Sequence, residues 1–186
     1  MAHTIRLTAD EGPTMTETDR PAERADLLQA LRQHRFHLRN TARDLTDQQA
    51  AERSTVSELC VGGVIKHVAY TERGWADFIL KGPVALGSSN DPGAYERHAQ
   101  SLQMLPGETL AGILAAYDEV ARHTDEIVAT LPDLNACHPL PEAPWFEPGA
   151  QWSARRVLLH IIAETSQHAG HADIIREAID GAKSMG

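Results

Sequence analysis

Apolar residues recur along most of the chain at steps of three and four, the spacing that places them on one side of an α-helix. From Pro21 the first such run is formed by Leu27, Leu28, Leu31, Leu38, Ala42 and Leu45. This run predicts a first long helix over residues 21–45. The next four residues begin with Thr46 and end with Gln49, a helix-capping pattern that predicts a short helical turn.

Three further long helices follow from the same periodicity. The spacing and the stop signals predict helices over 61–81, 109–131 and 153–181. Residues 82–106 are rich in Gly, Pro, Ser and Asn and predict a long crossover, whereas 132–152 contain five prolines and predict a loop that covers one end of the helices. No stretch alternates as a strand does. We therefore expect an all-α fold, a four-helix bundle with a long crossover between helices two and three.

Composition favours one soluble domain. The chain has 186 residues, of which 42% are hydrophobic and only 5% aromatic. Residues 1–20 are polar and lack periodicity, so we expect a flexible leader followed by a single domain over 21–186. The chain shows neither a secretory signal nor a membrane span, which predicts a cytoplasmic protein that does not bind membranes. In that reducing compartment Cys60 and Cys137 are expected as unpaired thiols.

Charge argues against one class of partner. The net charge is -9, and the 17 basic residues are spread along the chain rather than clustered. Binding to nucleic acid depends on clustered Lys and Arg that neutralise phosphates. We therefore expect no nucleic-acid partner.

Candidate chemistry is concentrated on the fourth predicted helix, where His160, Glu164, His168 and His171 follow one another at steps of four, four and three. At about 100° per residue, Glu164 and His168 lie at the edge of the apolar stripe, while the other two histidines are turned further outward. A carboxylate and an imidazole four residues apart on a helix can share one metal ion. His67, on the inward side of the second predicted helix, is the candidate third ligand.

Two nitrogens and one carboxylate oxygen match catalytic zinc sites, in which the remaining position is left to water or substrate. The same donors also suit nickel, iron or cobalt. Spacing alone leaves a second interpretation open: Glu164 and His168 would be a solvated helix pair, and His67 a hydrogen-bonded core histidine.

Two segments resemble the DinB-like superfamily. They are Thr55-Val56-Ser57 leading into Gly62-Gly63-Val64-Ile65-Lys66-His67-Val68, and the run from His160 to Asp173. The resemblance implies a four-helix bundle with a long crossover after the second helix and a metal bound by three side chains. The wider superfamily has a histidine where this chain has Glu164, and Arg-Gly-Gln where it has Ala169-Gly170-His171.

The resulting His, Glu, His set is similar to the mycothiol-dependent branch, which includes maleylpyruvate isomerase and mycothiol S-transferases of actinobacteria. In that branch the residues that match His67, Glu164 and His168 bind zinc. The resemblance implies a zinc-dependent S-transferase that activates a small thiol such as mycothiol as a metal-bound thiolate, for attack on an electrophile.

If the resemblance holds, Trp145, Phe146 and Trp152 are candidate walls of the substrate site, and Arg155 and Arg156 are candidate anchors for a polar cosubstrate. The alternatives are loop packing for the aromatic residues and a solvated first helical turn for the arginines. His160 and His171 are candidates for orienting the ligands or for contacting the substrate; they could equally be exposed histidines without a role.

Two other functions stay open. One is a metal-dependent hydrolase, for which Glu72 and Asp173 are remote candidates as the general base. The other is a non-catalytic metal-binding bundle that forms a homodimer through an apolar helix face and acts in a stress response.

Overall fold

Four long helices make up most of the computed structural model, which describes residues 19–87 and 92–184. In chain order the helices are α1 (Asp19–Asn40), α2 (Asp47–Ala51), α3 (Val61–Lys81), a 3-10 helix (Gly82–Leu86), α4 (Ala94–Ser101), α5 (Leu110–Thr130) and α6 (Ala154–Asp180). The predicted leader lies outside the described residues, except for its last two positions in α1. The expectation of an all-α fold is confirmed in its coarse form, a mainly helical chain.

The long helices pack in pairs around a shared core. α3 lies against α5 and α6, and α1 lies against α6 and α5. The core includes Leu38, Ile65 and Leu158, which are completely buried. Each such side chain contributes roughly 1.5–3 kcal/mol to the free energy of folding. These buried side chains thus hold α3 and α6, which carry the candidate ligands, side by side.

Helix ends lie close to where the capping residues predict them. The Thr46 hydroxyl and the Gln49 side chain form a reciprocal capping box at α2. The Ser153 hydroxyl accepts a hydrogen bond from the Arg156 amide, and α6 ends at Gly181 with a φ of 76°. The prediction that the first helix reaches residue 45 was wrong by five residues, because the chain after Asn40 tightens into turns.

Both cysteines are free thiols, as expected. Cys60 is buried and its sulfur accepts a hydrogen bond from the amide of Gly63 at the start of α3, whereas Cys137 is exposed. None of the helices within residues 19–87 and 92–184 is both long and apolar enough to cross a bilayer.

Two connections contain more structure than the sequence predicts. The proline-rich loop carries β1 (Cys137–Pro139) and β2 (Gln151–Ser153), which pair antiparallel with His138 opposite Trp152. The expectation of no strands was therefore wrong, since three-residue strands are too short to show an alternating pattern. The crossover contains α4, whose only buried residue is Ser101. An eight-residue, mainly polar helix is too short to show a clear periodicity in the sequence.

Candidate metal centre

Two neighbouring helices bring the three predicted ligands together. His67 comes from α3, and Glu164 and His168 come from successive turns of α6. Each offers one nitrogen or carboxylate oxygen, and these atoms lie within 4.8 Å of one another. His67 is 7% exposed, so the cluster lies at the edge of the core rather than on the surface.

The donor atoms approach one another without forming hydrogen bonds. His168 Nε2 lies 3.6 Å from Glu164 Oε2, and His160 Nε2 lies 3.9 Å from the other oxygen of the same carboxylate. Both distances exceed the range of a hydrogen bond. The rings of His67 and His168 meet edge to face with their centroids 5.0 Å apart. The described contacts among His67, Glu164 and His168 are therefore close approaches rather than hydrogen bonds.

The protonation of the histidines suits metal binding. Burial, and secondarily the imidazoles of His168 and His98, lower the pKa of His67 to about 4. Burial also lowers the pKa of His168 and of His160, against the opposing effect of the Glu164 carboxylate. Neutral imidazole is the form that ligates a metal. Near pH 7 these imidazoles are therefore mainly in the binding form.

The donor set fits a divalent transition metal. Two imidazole nitrogens and one carboxylate oxygen are borderline ligands that zinc accepts at about 2.0–2.2 Å, and nickel, iron or cobalt also accept them. Their close approach, and the lack of hydrogen bonds among these three side chains, suit such an ion. Three protein ligands leave at least one coordination position for a substrate.

The crossover helix contributes two residues that the sequence analysis missed. Ser101 Oγ lies 3.0 Å from His67 Nδ1, and the ring of His98 meets the His67 ring edge to face at 5.1 Å. In the sequence the only cue is a histidine and a serine three residues apart within a segment predicted as a crossover. Their proximity to His67 depends on how α4 folds back onto α3, which no local pattern encodes.

The remaining histidines of the row lie on either side of the ligands. His160 is half-buried, and its ring meets the rings of Trp75 and Trp152 at 4.9 and 5.1 Å. It is therefore less outward-facing than the helical periodicity predicts. His171 Nδ1 lies 3.4 Å from His168 Nδ1, which leaves His168 Nε2 directed toward Glu164.

Aromatic residues line a cavity that includes His98, the ring neighbour of His67, although the three candidate ligands themselves are not among its lining residues. The cavity has a volume of about 730 Å³, and its lining includes His98, Trp75, Trp145 and Phe146. Trp152 stacks on Trp75 with ring centroids 4.9 Å apart and an interplanar angle of 20°. The aromatic residues predicted as walls are therefore brought together beside His160 and His98.

The two arginines predicted as anchors, Arg155 and Arg156, have different partners in the structure. The guanidinium of Arg155 pairs with Glu23 of α1, with one contact at 3.1 Å, and also donates to Asn135. The guanidinium of Arg156 lies 4.2 Å from the centre of the Trp152 ring. Only Arg156 therefore lies against the aromatic group, and an anchoring role for either arginine stays a prediction.

A comparison with models of known protein families identifies a relationship that covers most of the chain. A family model described as mycothiol-S-transferase matches residues 26–181, which covers most of the chain and includes all three candidate ligands. No curated protein is significantly similar to the chain.

Proposed function

Because the chain belongs to the mycothiol-S-transferase family, a branch of the DinB-like superfamily, we propose that it is a metal-dependent S-transferase. It joins a low-molecular-weight thiol, mycothiol in the first instance, to an electrophile. The observation that carries the metal dependence is the cluster of His67, Glu164 and His168, whose donor atoms lie within 4.8 Å of one another. Zinc is the metal expected first, because it accepts all three donor types and leaves a position open.

The ligands have distinct tasks in this proposal. His67 and His168 would hold the cation through neutral nitrogens, and Glu164 would supply one negative charge, so a divalent site would retain a net positive charge. A divalent cation held there would supply Lewis acidity, which would lower the pKa of a thiol in the remaining position so that it could react as a thiolate near neutral pH. The thiol proton leaves to solvent. The sulfur then forms a bond to the electrophilic carbon, whose leaving group departs with the bonding electrons.

The cavity supplies orientation and shielding. Its walls include Trp145 and Phe146, which present aromatic surfaces to an organic substrate, whereas Trp75 also lines it but is 8% exposed and stacked on Trp152. Holding the electrophile against a fixed sulfur reduces the entropy cost of the bimolecular step. Arg156, which stacks on Trp152, is the better placed of the two candidate anchors for a polar thiol.

The finer features of the fold and setting belong to the same proposal. We take the four long helices as a four-helix bundle over residues 21–186, with 82–106 as its crossover. The protein acts in the cytoplasm, where a small thiol stays reduced. A homodimer is compatible with this activity but is not needed for it.

A thiol-transfer assay tests the proposal. Purified protein would be stripped with a chelator, reloaded with zinc, and given mycothiol and a chromogenic alkylating electrophile, with thioether formation followed by absorbance and mass spectrometry. We expect transfer above the uncatalysed rate only with metal, and its loss in Glu164→Gln. Glu119→Gln, the same change at an exposed position on α5, is the control that should retain full activity.

The other outcomes separate the alternatives. Equal rates with and without metal would overturn metal-dependent transfer. Hydrolysis of esters or amides without thiol transfer would favour a hydrolase, although Glu72 is paired with Arg35 in the interior and is not available as a general base. Bound metal with neither activity would favour the non-catalytic bundle.

A further inference from the structure

The end of α4 is seated on the start of α3 because Gly63 lets the two backbones approach, and Gly62 leaves room for the Met104 side chain. A Cβ at Gly63 would collide with the Leu102 carbonyl oxygen, and one at Gly62 with the Met104 side chain. Gly63 and His67 are four residues apart and share one face of α3. Placing Leu102 on Gly63 therefore places Ser101, the preceding residue, beside the His67 ring.

Polar contacts also hold the segment that follows α4 against the start of α3. Lys66 Nζ donates to the Gln103 carbonyl at 3.2 Å and to the Glu108 carboxylate at 2.8 Å, and that carboxylate accepts the Leu105 amide at 2.7 Å. The segment that follows α4 is thus tied to α3 beside His67. Ser101 is 4% exposed, and its hydroxyl has two protein partners within hydrogen-bond distance, His67 Nδ1 and the His98 carbonyl.

The direction of the Ser101 hydrogen bonds follows from the neighbouring carbonyl. Ser101 Oγ lies 2.7 Å from the His98 carbonyl oxygen, which can only accept. In a continuing helix the Leu102 amide would donate to that carbonyl, but it bonds the Ala99 carbonyl instead. The single hydroxyl proton of Ser101 therefore points to His98, and its oxygen is left to accept the proton on His67 Nδ1.

We propose that Ser101 is a positioning residue that holds His67 as the Nδ1–H tautomer and directs Nε2 toward Glu164 and His168. The chain of hydrogen bonds runs from His67 Nδ1–H to Ser101 Oγ–H to the His98 carbonyl. A ring nitrogen ligates a metal only when it carries no proton, and the bond made by the other nitrogen decides which one is free. In this way a residue of α4 sets the tautomer and the orientation of a candidate metal ligand on α3.

This inference rests on the proposed function only for its effect on metal affinity, so the first test uses metal-free protein. Nitrogen NMR of 15N-histidine-labelled protein at neutral pH distinguishes the two tautomers, and comparison with His67→Asn identifies the His67 signals. We expect the proton on Nδ1 in the wild type and a shift toward the Nε2–H form in Ser101→Ala. A wild-type ring with its proton on Nε2 would overturn the proposal, whatever the variants do.

Metal affinity gives the second readout. In a chelator competition we expect Ser101→Ala to bind zinc about 10–100-fold more weakly, the usual effect of removing a partner of a ligating histidine. Ser101→Thr, which keeps the hydroxyl, should restore most of the affinity. Ser166→Ala, the same change at an exposed position on α6, should leave it unchanged.

These measurements distinguish a failure of the Ser101 proposal from a failure of the proposed metal-dependent function. If no variant and no wild-type protein binds zinc, the proposed function fails while the tautomer measurement still decides the role of Ser101. If Ser101→Ala keeps both the Nδ1–H tautomer and the wild-type zinc affinity, Ser101 is only a packing residue and the proposal is wrong. Gly63→Ala, which displaces Leu102, should reproduce the loss of affinity seen in Ser101→Ala.

Discussion

Two polar clusters lie along α3, one at Glu72 and one at His67, five residues apart. The side chains of the first cluster are hydrogen-bonded to one another, and those of the second are not. At Glu72 the carboxylate accepts two hydrogen bonds from Arg35 of α1, which also pairs with Asp125 of α5 at 2.7 Å. At His67 the donor atoms of α3 and α6 approach to within 4.8 Å and form no hydrogen bonds among themselves. We call the Glu72 cluster closed, because its ionisable side chains are hydrogen-bonded to one another. We call the His67 cluster open, because its candidate ligands are not.

The difference shows how a structural cluster can be told from a binding site when both are built of ionisable groups. Buried charges cost free energy unless their bonds are completed. The Arg35 and Glu72 side chains are 6% and 1% exposed and complete theirs internally. The candidate ligand cluster combines mainly neutral imidazoles with a Glu164 side chain that is 30% exposed, so it tolerates incomplete pairing.

Breaking the closed cluster should have the largest effect. Glu72→Ala leaves the Arg35 charge buried without its main partner, and we expect the free energy of unfolding to fall by about 3–5 kcal/mol, measured by urea denaturation. The double variant Arg35→Met with Glu72→Leu removes both charges and should recover most of that loss. A loss below about 1 kcal/mol for Glu72→Ala would show that the two clusters do not differ in this way.

Breaking the open cluster should cost stability only when metal is present. We expect Glu164→Gln to change the free energy of unfolding of the metal-free protein by less than about 1 kcal/mol, because no hydrogen bond to another side chain of the cluster is lost. Wild-type protein with zinc at 100 times its Kd should gain about 2.7 kcal/mol, and the variant should lose that gain at the same zinc concentration.

Thermal or urea denaturation at several zinc concentrations measures this effect. A metal-dependent gain of the same size in Glu164→Gln would remove Glu164 from the ligand set.

Acid should lower the stability of the metal-free protein through the titration of His67. Its pKa is about 4 in the folded protein and near 6.5 when unfolded. Between these values the unfolded chain binds a proton that the folded chain does not, so stability falls as the pH falls from about 6.5 to 4. We expect metal-free wild type to lose on the order of 2 kcal/mol more than His67→Gln across this range. Equal losses in the two proteins would show that His67 titrates normally.

The smallest effect is expected outside both clusters, at Arg155. Its pair with Glu23 is partly exposed, so we expect Arg155→Ala to lower the free energy of unfolding by about 0.5–1 kcal/mol. The KM for the thiol should stay unchanged, because the guanidinium is already paired. An increase in KM of tenfold or more would instead support the anchoring role predicted from the sequence.

The sequence could predict the long helices and the ligand candidates because both depend on local spacing. The row on α6 follows from steps of four and three, and His67 from its place between Val64 and Val68. The arrangement of Ser101 over His67 could not be predicted, because it depends on two segments that meet through the close approach at Gly63. The strand pair and α4 were missed because their lengths and patterns are too short or too polar for periodicity to register.

The glycine pair illustrates the same limit. Gly62 and Gly63 appear in the resemblance to the DinB-like superfamily, but sequence alone gives no reason for two glycines in the first turn of a helix, where they disfavour helix formation. The reason is a tertiary one: each glycine lies against the chain that follows α4.

The most direct test of a metal centre that activates a thiol is a thiol titration of cobalt-substituted protein. We predict about one cobalt per chain in the wild type, none in His67→Ala, and a sulfur-to-cobalt charge-transfer band that grows as mycothiol is added. A protein that binds no cobalt, or whose cobalt spectrum is unchanged by thiol, would contradict the account.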